Sequence, residues 1–168
     1  VYLHRGAGAY EAGEETALLD SLEGKRAQPR FKPPFPAVAG LWGCPTAVNN
    51  VETLCNAPLV MTRGAEWFAA LGPEKNGGPK LFCVSGHVKR PGVFEAPMKV
   101  SLRELIDDYA GGVRDGHTMK AVIPGGSSVP ILLPDQIDIP ASFDDVQRAG
   151  SLLGSAAIMV LDETVDMV

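Results

Sequence analysis

Two adjacent carboxylates, Glu14 and Glu15, follow a glycine at the start of a predicted helix. At about 100° per residue, Leu18, Leu19 and Leu22 share one face of this helix, and Glu15 projects into the middle of that face. A carboxylate there is costly to bury unless it accepts hydrogen bonds, so a ligand with N–H or O–H donors would suit it. The helix macrodipole favours acidic residues in any first turn, and for the pair alone this structural role is the more usual one.

The residues before this helix predict a short strand, Val1–Arg5, followed by the small residues 6–13. A strand, a glycine-rich turn and a helix resemble half of a nucleotide-binding βα unit, although the spacing is neither G-x-G-x-x-G nor a P-loop. Two glutamates at the helix start would repel a phosphate. The pattern therefore favours hydroxyl or ring N–H donors as partners.

A proline-rich loop supplies a second candidate, because Phe35 stands among three prolines. Prolines hold the backbone extended and would present the ring as a stacking platform for a planar ligand. The alternative, that Phe35 fills a core, is about equally consistent with the sequence. Lys32 could meet a phosphate or carboxylate, although a solvated lysine is the commoner outcome.

The N-x-x-E pattern from Asn49 to Glu52 predicts a cap for a helix over residues 50–62, with a kink or break at Pro58. Asn49 is then explained as the cap. Asn50 becomes the surplus amide, free for a ligand.

The remaining patterns predict the elements that position these residues. The first helix spans Glu14–Glu23 and ends at Gly24, and a short helix, Ala65–Leu71, precedes a linker at residues 72–79. The second half predicts two strands, a helix and two strands, a compact α+β unit of the β-grasp kind. Its strands are Leu81–Val84, Gly92–Glu95, Met119–Ile123 and Val129–Leu133; the capping box Ser101–Glu104 starts the helix, Ser142 caps a further segment, and Ala156–Leu161 is a last strand.

Composition narrows the classes of function. The 168 residues carry a formal net charge of -5 and contain no basic run that would indicate nucleic-acid binding. No apolar run approaches the roughly 20 residues of a membrane-spanning helix, and the first residues lack a signal-peptide pattern. The chain has no starting methionine, and we expect it to be a fragment. Three cysteines and three histidines are too scattered to predict a metal site or a disulfide: Cys44, Cys55, Cys83, His4, His87 and His117.

Three stretches of the first half, Gly13–Gly24, Lys32–Ala37 and Val48–Leu54, resemble the flavin-binding subunit of respiratory complex I. This is the family of 51-kDa flavoproteins, the F subunits of NADH-quinone oxidoreductase. Ser85–Glu95 resembles the soluble-ligand-binding β-grasp (SLBB) domain that follows the flavin domain in that family. The order agrees, and the similarity runs over residues 6–167.

The resemblance implies an α/β flavin-domain fragment, made of a strand, a glycine-rich turn and helices, followed by a small α+β, ubiquitin-like β-grasp domain. Residues 1–76 would be the C-terminal part of the FMN- and NADH-binding domain. Residues 79–168 would be the SLBB domain, leading toward a C-terminal iron–sulfur helical domain outside this chain.

The resemblance also implies a function: NADH reduces FMN by hydride transfer, and electrons pass to iron–sulfur clusters and eventually to quinone. The flavin carries the redox chemistry, so no side chain is assigned a catalytic role and none a metal-binding one. The 4Fe–4S ligands of the family are absent from these residues. The implied partners are other hydrophilic-arm subunits of complex I, especially the 24-kDa-type 2Fe–2S protein, and the implied location is cytoplasmic, peripheral to the inner membrane.

Site residues follow by matching position. The implied FMN contacts are Gly8, Tyr10, Gly13, Glu14, Glu15, Thr16, Asn49, Asn50 and Thr53. The implied NADH contacts are Glu15, Lys32 and Phe35. We expect Glu15, Asn50 and Phe35 to share a cleft.

Two departures from the family bear on activity. Glu11-Ala12 stand where the family usually has Ile-Cys, which adds a third charge beside the glutamates. The family's N-terminal glycine-rich loop lies outside these residues, so we expect the isolated chain to bind FMN weakly or not at all and to be inactive. Two other functions stay open: the diaphorase subunit of an NAD-linked hydrogenase or formate dehydrogenase, and a non-enzymatic β-grasp ligand-binding or docking module.

Overall fold

The computed structural model describes residues 1–167, so Val168, which the predicted second domain includes, lies outside the described residues. Contacts divide the chain into two compact units, Val1–Cys55 and a second that begins at Asn56. Residues 56–76, which the sequence predicts to belong with the flavin-domain fragment, group with the second unit in this division. The family-based boundaries 1–76 and 79–168 stay a prediction.

The first unit is organised around helix α1, Glu15–Leu22. Glu14 is its N-cap, and Gly24 follows the C-cap with φ 77°, a left-handed conformation that ends many helices. The predicted helix Glu14–Glu23 is therefore confirmed to within one residue at each end. Two short 3₁₀ turns, Tyr10–Gly13 and Leu41–Gly43, complete the regular structure before residue 51.

The predicted strand Val1–Arg5 is wrong. Residues 1–9 have no regular secondary structure, and their side chains are exposed. A strand is stable only when its backbone pairs with a neighbour, and all four strands of the described residues belong to the second unit. Residues 1–5 have the alternating pattern of a strand, but no strand of the described residues pairs with them.

Helix α2, Val51–Arg63, continues through Pro58, so the break that the sequence offered as the alternative to a kink does not occur. None of its thirteen residues is buried. Helix α3, Ala65–Ala69, follows and confirms the predicted short helix, with two fewer residues at its end. No helix within residues 1–167 is long and apolar enough to cross a lipid bilayer.

The second unit contains a mixed four-stranded sheet. Its strands are β1, Pro79–Gly86; β2, Gly92–Pro97; β3, Met119–Ile123; and β4, Ala157–Asp162. The order across the sheet is β2-β1-β4-β3. β1 pairs antiparallel with β2 and parallel with β4, and β3 pairs antiparallel with β4.

One face of this sheet carries the core. Helix α4, Leu102–Glu104, has the predicted capping box at Ser101 and continues as a π-helical turn, Leu105–Tyr109. The glycines at 111 and 112, both at positive φ, follow it. The buried side chains that form this core include Phe82, Val84, Leu102, Leu105, Ile106, Ile158 and Val160. Helix α5, Phe143–Arg148, begins at the predicted cap Ser142.

The predicted strand Val129–Leu133 is also wrong. This segment makes only one bridge, between Val122 and Leu132. Pro130 lies inside the segment and Pro134 follows it, and proline has no N–H with which to continue a ladder. The last predicted strand is confirmed as β4, shifted by one residue.

Candidate functional site

A cavity of about 430 Å³ lies beside the first turns of α1. Four of the predicted site residues line it: Gly13, Glu15, Asn49 and Asn50. The apolar part of the wall comes from Leu18, Val48 and Val51. The volume lies within the range of small-molecule sites, and a mainly apolar wall with a few polar groups is typical of them.

Glu14 is held by its own helix. Its Oε2 accepts hydrogen bonds from the backbone amides of Thr16 and Ala17, each at 2.9 Å, and from the Thr16 hydroxyl at 2.5 Å. The Thr16 hydroxyl, the two amides and Lys32 lower the pKa of Glu14 to about 2 against the opposing effect of burial. Glu14 therefore stays ionised and accepts hydrogen bonds from the free N–H groups at the N-terminus of α1.

Glu15 does not lie on the buried face of α1, so the expected inward carboxylate is wrong. Its side chain is 39% exposed, and Oε1 lies 2.6 Å from the Lys32 ammonium, which is 3.1 Å from Glu14 Oε1. These two carboxylates, Glu15 first, raise the pKa of Lys32. Leu18 is exposed and Leu19 is buried, because the first unit packs against the face beside the predicted one. Glu15 is satisfied by a lysine and faces the cavity.

The two asparagines exchange the roles that the sequence predicts. α2 begins at Val51, and Asn50 Oδ1 accepts a hydrogen bond from the Glu52 amide at 2.7 Å. Asn50 is therefore the capping side chain, because the helix begins one residue later than expected. Asn49 makes no side-chain hydrogen bond within residues 1–167, and it is the amide with donors and acceptors to spare at the cavity.

The loop that carries Phe35 turns instead of staying extended. The Phe35 carbonyl accepts hydrogen bonds from the amides of Val38 and Ala39, at 2.8 and 3.0 Å. The ring is 57% exposed, so it does not fill a core of the described residues. Phe35 is not among the residues that line the cavity of Glu15 and Asn50, so the expected common cleft contains two of its three members.

The other predicted contacts lie outside this cavity. Tyr10 and Thr53 are exposed, and Gly8 is exposed with φ 84°. Thr16 is buried, and its hydroxyl accepts the Arg30 amide at 2.8 Å. The cavity therefore brings together Gly13, Glu15 and the asparagine pair, and it reaches Lys32 only through the ion pair with Glu15.

Sequence reasoning missed Arg30. Its Nε donates to Asp20 Oδ1 at 2.8 Å, Nη1 donates to the Gly40 carbonyl at 2.9 Å, and Nη2 lies 2.9 Å from Glu23 Oε1. Glu23 also accepts the Trp42 amide at 2.8 Å, and Lys25 first, then Arg30, lowers its pKa to about 2. This network lines a second cavity of about 570 Å³. The surrounding residues 25–32 show no periodicity, so no signal in the sequence marked it.

A cluster in the second unit joins two histidines that are isolated in sequence. Asp162 is fully buried, with Oδ1 2.9 Å from His87 Nδ1 and Oδ2 2.5 Å from Arg114 Nε. His117 Nδ1 lies 2.7 Å from Glu163 Oε1. Hydrogen bonds from Thr164 and Arg114 hold the pKa of Asp162 well below its usual range despite burial. The Arg114 guanidinium supplies a positive charge to the buried Asp162, and the cluster links His87, directly after β1, to the end of β4.

Comparisons with known proteins place each half of the chain. The family described as "Nuo51 FMN-binding domain" matches residues 1–59, and the SLBB domain family matches residues 80–160. The NADH-quinone oxidoreductase F 2 subunit of Rhizobium meliloti (strain 1021) is 55% identical over 168 residues, which is 100% of this chain and 40% of that protein. The NADH-quinone oxidoreductase F subunit of Mycobacterium bovis is 56% identical over 166 residues, 99% of this chain and 37% of that protein.

A solved structure agrees with these matches. The crystal structure of an NAD+-reducing [NiFe]-hydrogenase in the air-oxidized state superimposes with a TM-score of 0.77 and 43% identity, covering 96% of this chain and 27% of that one. The chain spans about two fifths of the length of the relatives named above. Both halves are matched in the same order, and more than half of all residues are shared with those relatives, so the chain is similar over its whole length to part of the NADH-quinone oxidoreductase F subunits.

Proposed function

We propose that this chain is part of the flavoprotein subunit that oxidises NADH in respiratory complex I. The observation that supports it most is the cavity of Glu15, Asn49 and Asn50, which lies wholly inside the residues that match the FMN-binding family. The relatives that share more than half of its residues are named as subunits of NADH-quinone oxidoreductases.

The residues at this cavity fit the ring system of FMN. An isoalloxazine ring has an N–H donor and carbonyl acceptors on its edge, and a carboxylate and an asparagine amide can satisfy these groups. Leu18, Val48 and Val51 give the apolar surface that a planar ring needs. The acidic pair does not fit the phosphate of FMN, because like charges repel.

In this proposal, the side chains of this chain bind FMN and NADH and orient them for the reaction. Glu14 fixes the first turn of α1, so Glu15 is presented at a defined place. Lys32 neutralises Glu15 and contacts the dinucleotide, and Phe35 stacks on a ring of NADH. FMN, when bound, supplies the redox chemistry by accepting a hydride from NADH. The proposed flavin contacts are completed by Gly8, Tyr10, Gly13, Glu14, Thr16 and Thr53.

The second unit is proposed to be a ubiquitin-like β-grasp domain of the SLBB type, within residues 79–168. The parallel pairing of β1 with β4 and the match over residues 80–160 support this. The 4Fe–4S cluster would lie in another part of the full subunit. The proposed partners are the hydrophilic-arm subunits, with the 24-kDa-type 2Fe–2S protein first, and the proposed location is peripheral to the inner membrane on its cytoplasmic side.

A second candidate is the diaphorase subunit of an NAD-linked hydrogenase or formate dehydrogenase. The structural match to an NAD+-reducing hydrogenase favours it, at 43% identity. The higher identity of 55% to an NADH-quinone oxidoreductase favours the first proposal. The exposed ring of Phe35 and the cavity beside α1 argue against the third candidate, a non-enzymatic module, since both features suit a ligand.

A chimera tests the proposal. The matching segment of the Rhizobium meliloti protein is replaced by these 168 residues, and the purified protein is assayed for bound flavin by absorbance and for NADH:ferricyanide activity. We expect retained FMN and NADH oxidation, with flavin loss in Asn49→Ala and none in Lys89→Ala, which removes only an exposed ion pair with Asp115. A folded chimera that retains no flavin would contradict the proposal.

A further inference from the structure

We infer that Arg30 is a positioning residue that sets the place of the Lys32 ammonium beside Glu14 and Glu15, and thereby the affinity for NADH. The inference rests on the proposed function, because Lys32 touches substrate only if the dinucleotide binds beside α1. Its structural half, the control of Lys32 by Arg30, can be tested without any ligand.

The side chain of Arg30 anchors its segment to the C-terminal half of α1. The guanidinium reaches Asp20 at 2.8 Å and Glu23 at 2.9 Å, both on or directly after that helix. A third contact, at 2.9 Å, reaches the Gly40 carbonyl in the loop beyond Phe35. Because a guanidinium presents several donors in a fixed plane, one side chain fixes two elements at once.

The backbone of Arg30 anchors the same segment to the N-terminal half of α1. Its amide donates to the Thr16 hydroxyl at 2.8 Å, and that hydroxyl donates to Glu14 Oε2 at 2.5 Å. Arg30 is therefore held toward both ends of the helix. Residues 30–32 run along α1, and Lys32, two residues further on, reaches the glutamates of the first turn.

This arrangement reduces the conformational freedom of Lys32. A lysine side chain loses substantial rotamer entropy when its ammonium is fixed, and a mobile backbone would add to that loss. With Arg30 in place, the ammonium bridges Glu15 at 2.6 Å and Glu14 at 3.1 Å. Glu14 keeps its bonds to the helix amides when Lys32 moves toward an anionic group of a ligand, so the first turn of α1 stays intact.

The consequence is a division between binding and chemistry. Within residues 1–167, Arg30 forms its hydrogen bonds and ion pairs with Thr16, Asp20, Glu23 and Gly40, and none of these four lines the cavity of about 430 Å³. Its removal should weaken the binding of NADH through Lys32 and leave the hydride-transfer geometry unchanged. Loss of Arg30 should therefore raise KM and spare kcat.

A double-mutant cycle in the chimera tests the coupling. Arg30→Ala should raise KM for NADH about tenfold, the cost of one lost charge-assisted contact, with kcat changed less than about twofold. Arg30→Lys should recover part of the loss. In a Lys32→Met background, Arg30→Ala should raise KM little further. Equal increases in both backgrounds would show that Arg30 does not act through Lys32.

A ligand-free measurement separates this inference from the proposed function. NMR titration of the 168-residue chain measures the pKa of the Glu14 carboxyl, which is about 2 in the wild type. This pKa should rise in Arg30→Ala. It should rise no further when Arg30→Ala is added to Lys32→Met. Lys25→Ala, which removes another partner of Glu23, is the control and should leave Glu14 unchanged.

The outcomes are distinct. If Arg30→Ala does not fold, Arg30→Lys and Glu23→Gln carry the same cycle, since the first removes the guanidinium fork but keeps the charge and the second removes one of its ion pairs. An unchanged Glu14 titration in the folded variants would overturn the inference even if the chimera oxidises NADH. An inactive wild-type chimera would count against the proposed function, while the NMR cycle still decides the role of Arg30.

Discussion

The side-chain oxygen of Asn50 accepts a hydrogen bond from the Glu52 amide at 2.7 Å, and this bond makes Asn50 the cap of α2. Its neighbour Asn49 lines the same cavity and makes no side-chain hydrogen bond within residues 1–167. Two adjacent residues of one type thus have separable roles, one toward the helix and one toward a ligand.

Substitution of each asparagine should separate these roles. Asn50→Ala removes a cap and should destabilise the start of α2 by about 1 kcal/mol, measured as faster amide hydrogen exchange in its first turn. Asn49→Ala should leave exchange unchanged and lower the flavin content of the chimera. Equal exchange rates in the two variants would contradict the assignment of the cap.

The capping carboxylate Glu14 should give the first unit a specific pH dependence. Its pKa is about 2 in the folded protein against a usual 4.5, so the unfolded state binds the proton more readily. The stability that Glu14 contributes is complete above pH 4.5 and is lost as the pH falls from there toward 2. Glu14→Gln should therefore be less stable than the wild type at pH 7 by about 1 kcal/mol and lose less stability on acidification.

The measurement is urea unfolding followed by Trp42 fluorescence in a Trp67→Phe background, which leaves one reporter in the first unit. Glu14→Asp provides a control that keeps the charge but shortens the reach to the helix amides. Parallel pH curves for the wild type and Glu14→Gln would refute the assignment.

Substitutions in the second unit should lower its stability according to whether the replaced side chain is buried or exposed. Leu105 is fully buried and Val93, on β2, is exposed. Leu105→Ala should reduce the free energy of unfolding by about 2–5 kcal/mol, because it removes apolar contacts and leaves a cavity. Val93→Ala should change it by less than about 0.5 kcal/mol. Denaturation followed by far-UV circular dichroism compares the two, and similar losses would mean that the core lies elsewhere.

Gly86 should tolerate no side chain. It has φ 83°, and a Cβ there would lie 2.2 Å from the Val160 carbonyl oxygen on β4. Gly116 has a similar φ of 80° but open space around it. Gly116→Ala should cost only the left-handed strain, about 1–2 kcal/mol, and Gly86→Ala should cost more because β1 and β4 must also separate. Thermal unfolding of both variants makes the comparison, and an equal loss would exclude the close approach.

Elements that depend on neighbouring residues could be predicted from the sequence. The capping box at Ser101, the cap at Ser142 and the helix after Gly13 were all found, because each needs contacts only three or four residues away. Strands were found where β1, β2, β3 and β4 have partners. The two wrong strands, at residues 1–5 and 129–133, have the right composition but lack backbone pairing.

The sequence identified several residues of the site but not the contacts that these residues make. Glu15 and Asn50 do share a cavity, but the buried face of α1 is set by what packs on it, which helical periodicity cannot specify to within one residue. Arg30 and the pairing of His87 with Asp162 join residues far apart in sequence and have no local pattern. Tertiary contacts of this kind form only in the folded chain and leave no pattern in neighbouring residues.

The parallel pairing of β1 with β4 has a consequence for how the second unit is made. Val84 and Ile158 lie opposite each other on the two central strands of the sheet, yet one is translated near the beginning of the unit and the other near its end. In the sheet order, β3 reaches β1 only across β4. A chain that ends before Ala157 therefore contains the β1–β2 hairpin and β3 but lacks β4, which pairs with both β1 and β3. Truncation there removes a central strand of the sheet and not an edge strand.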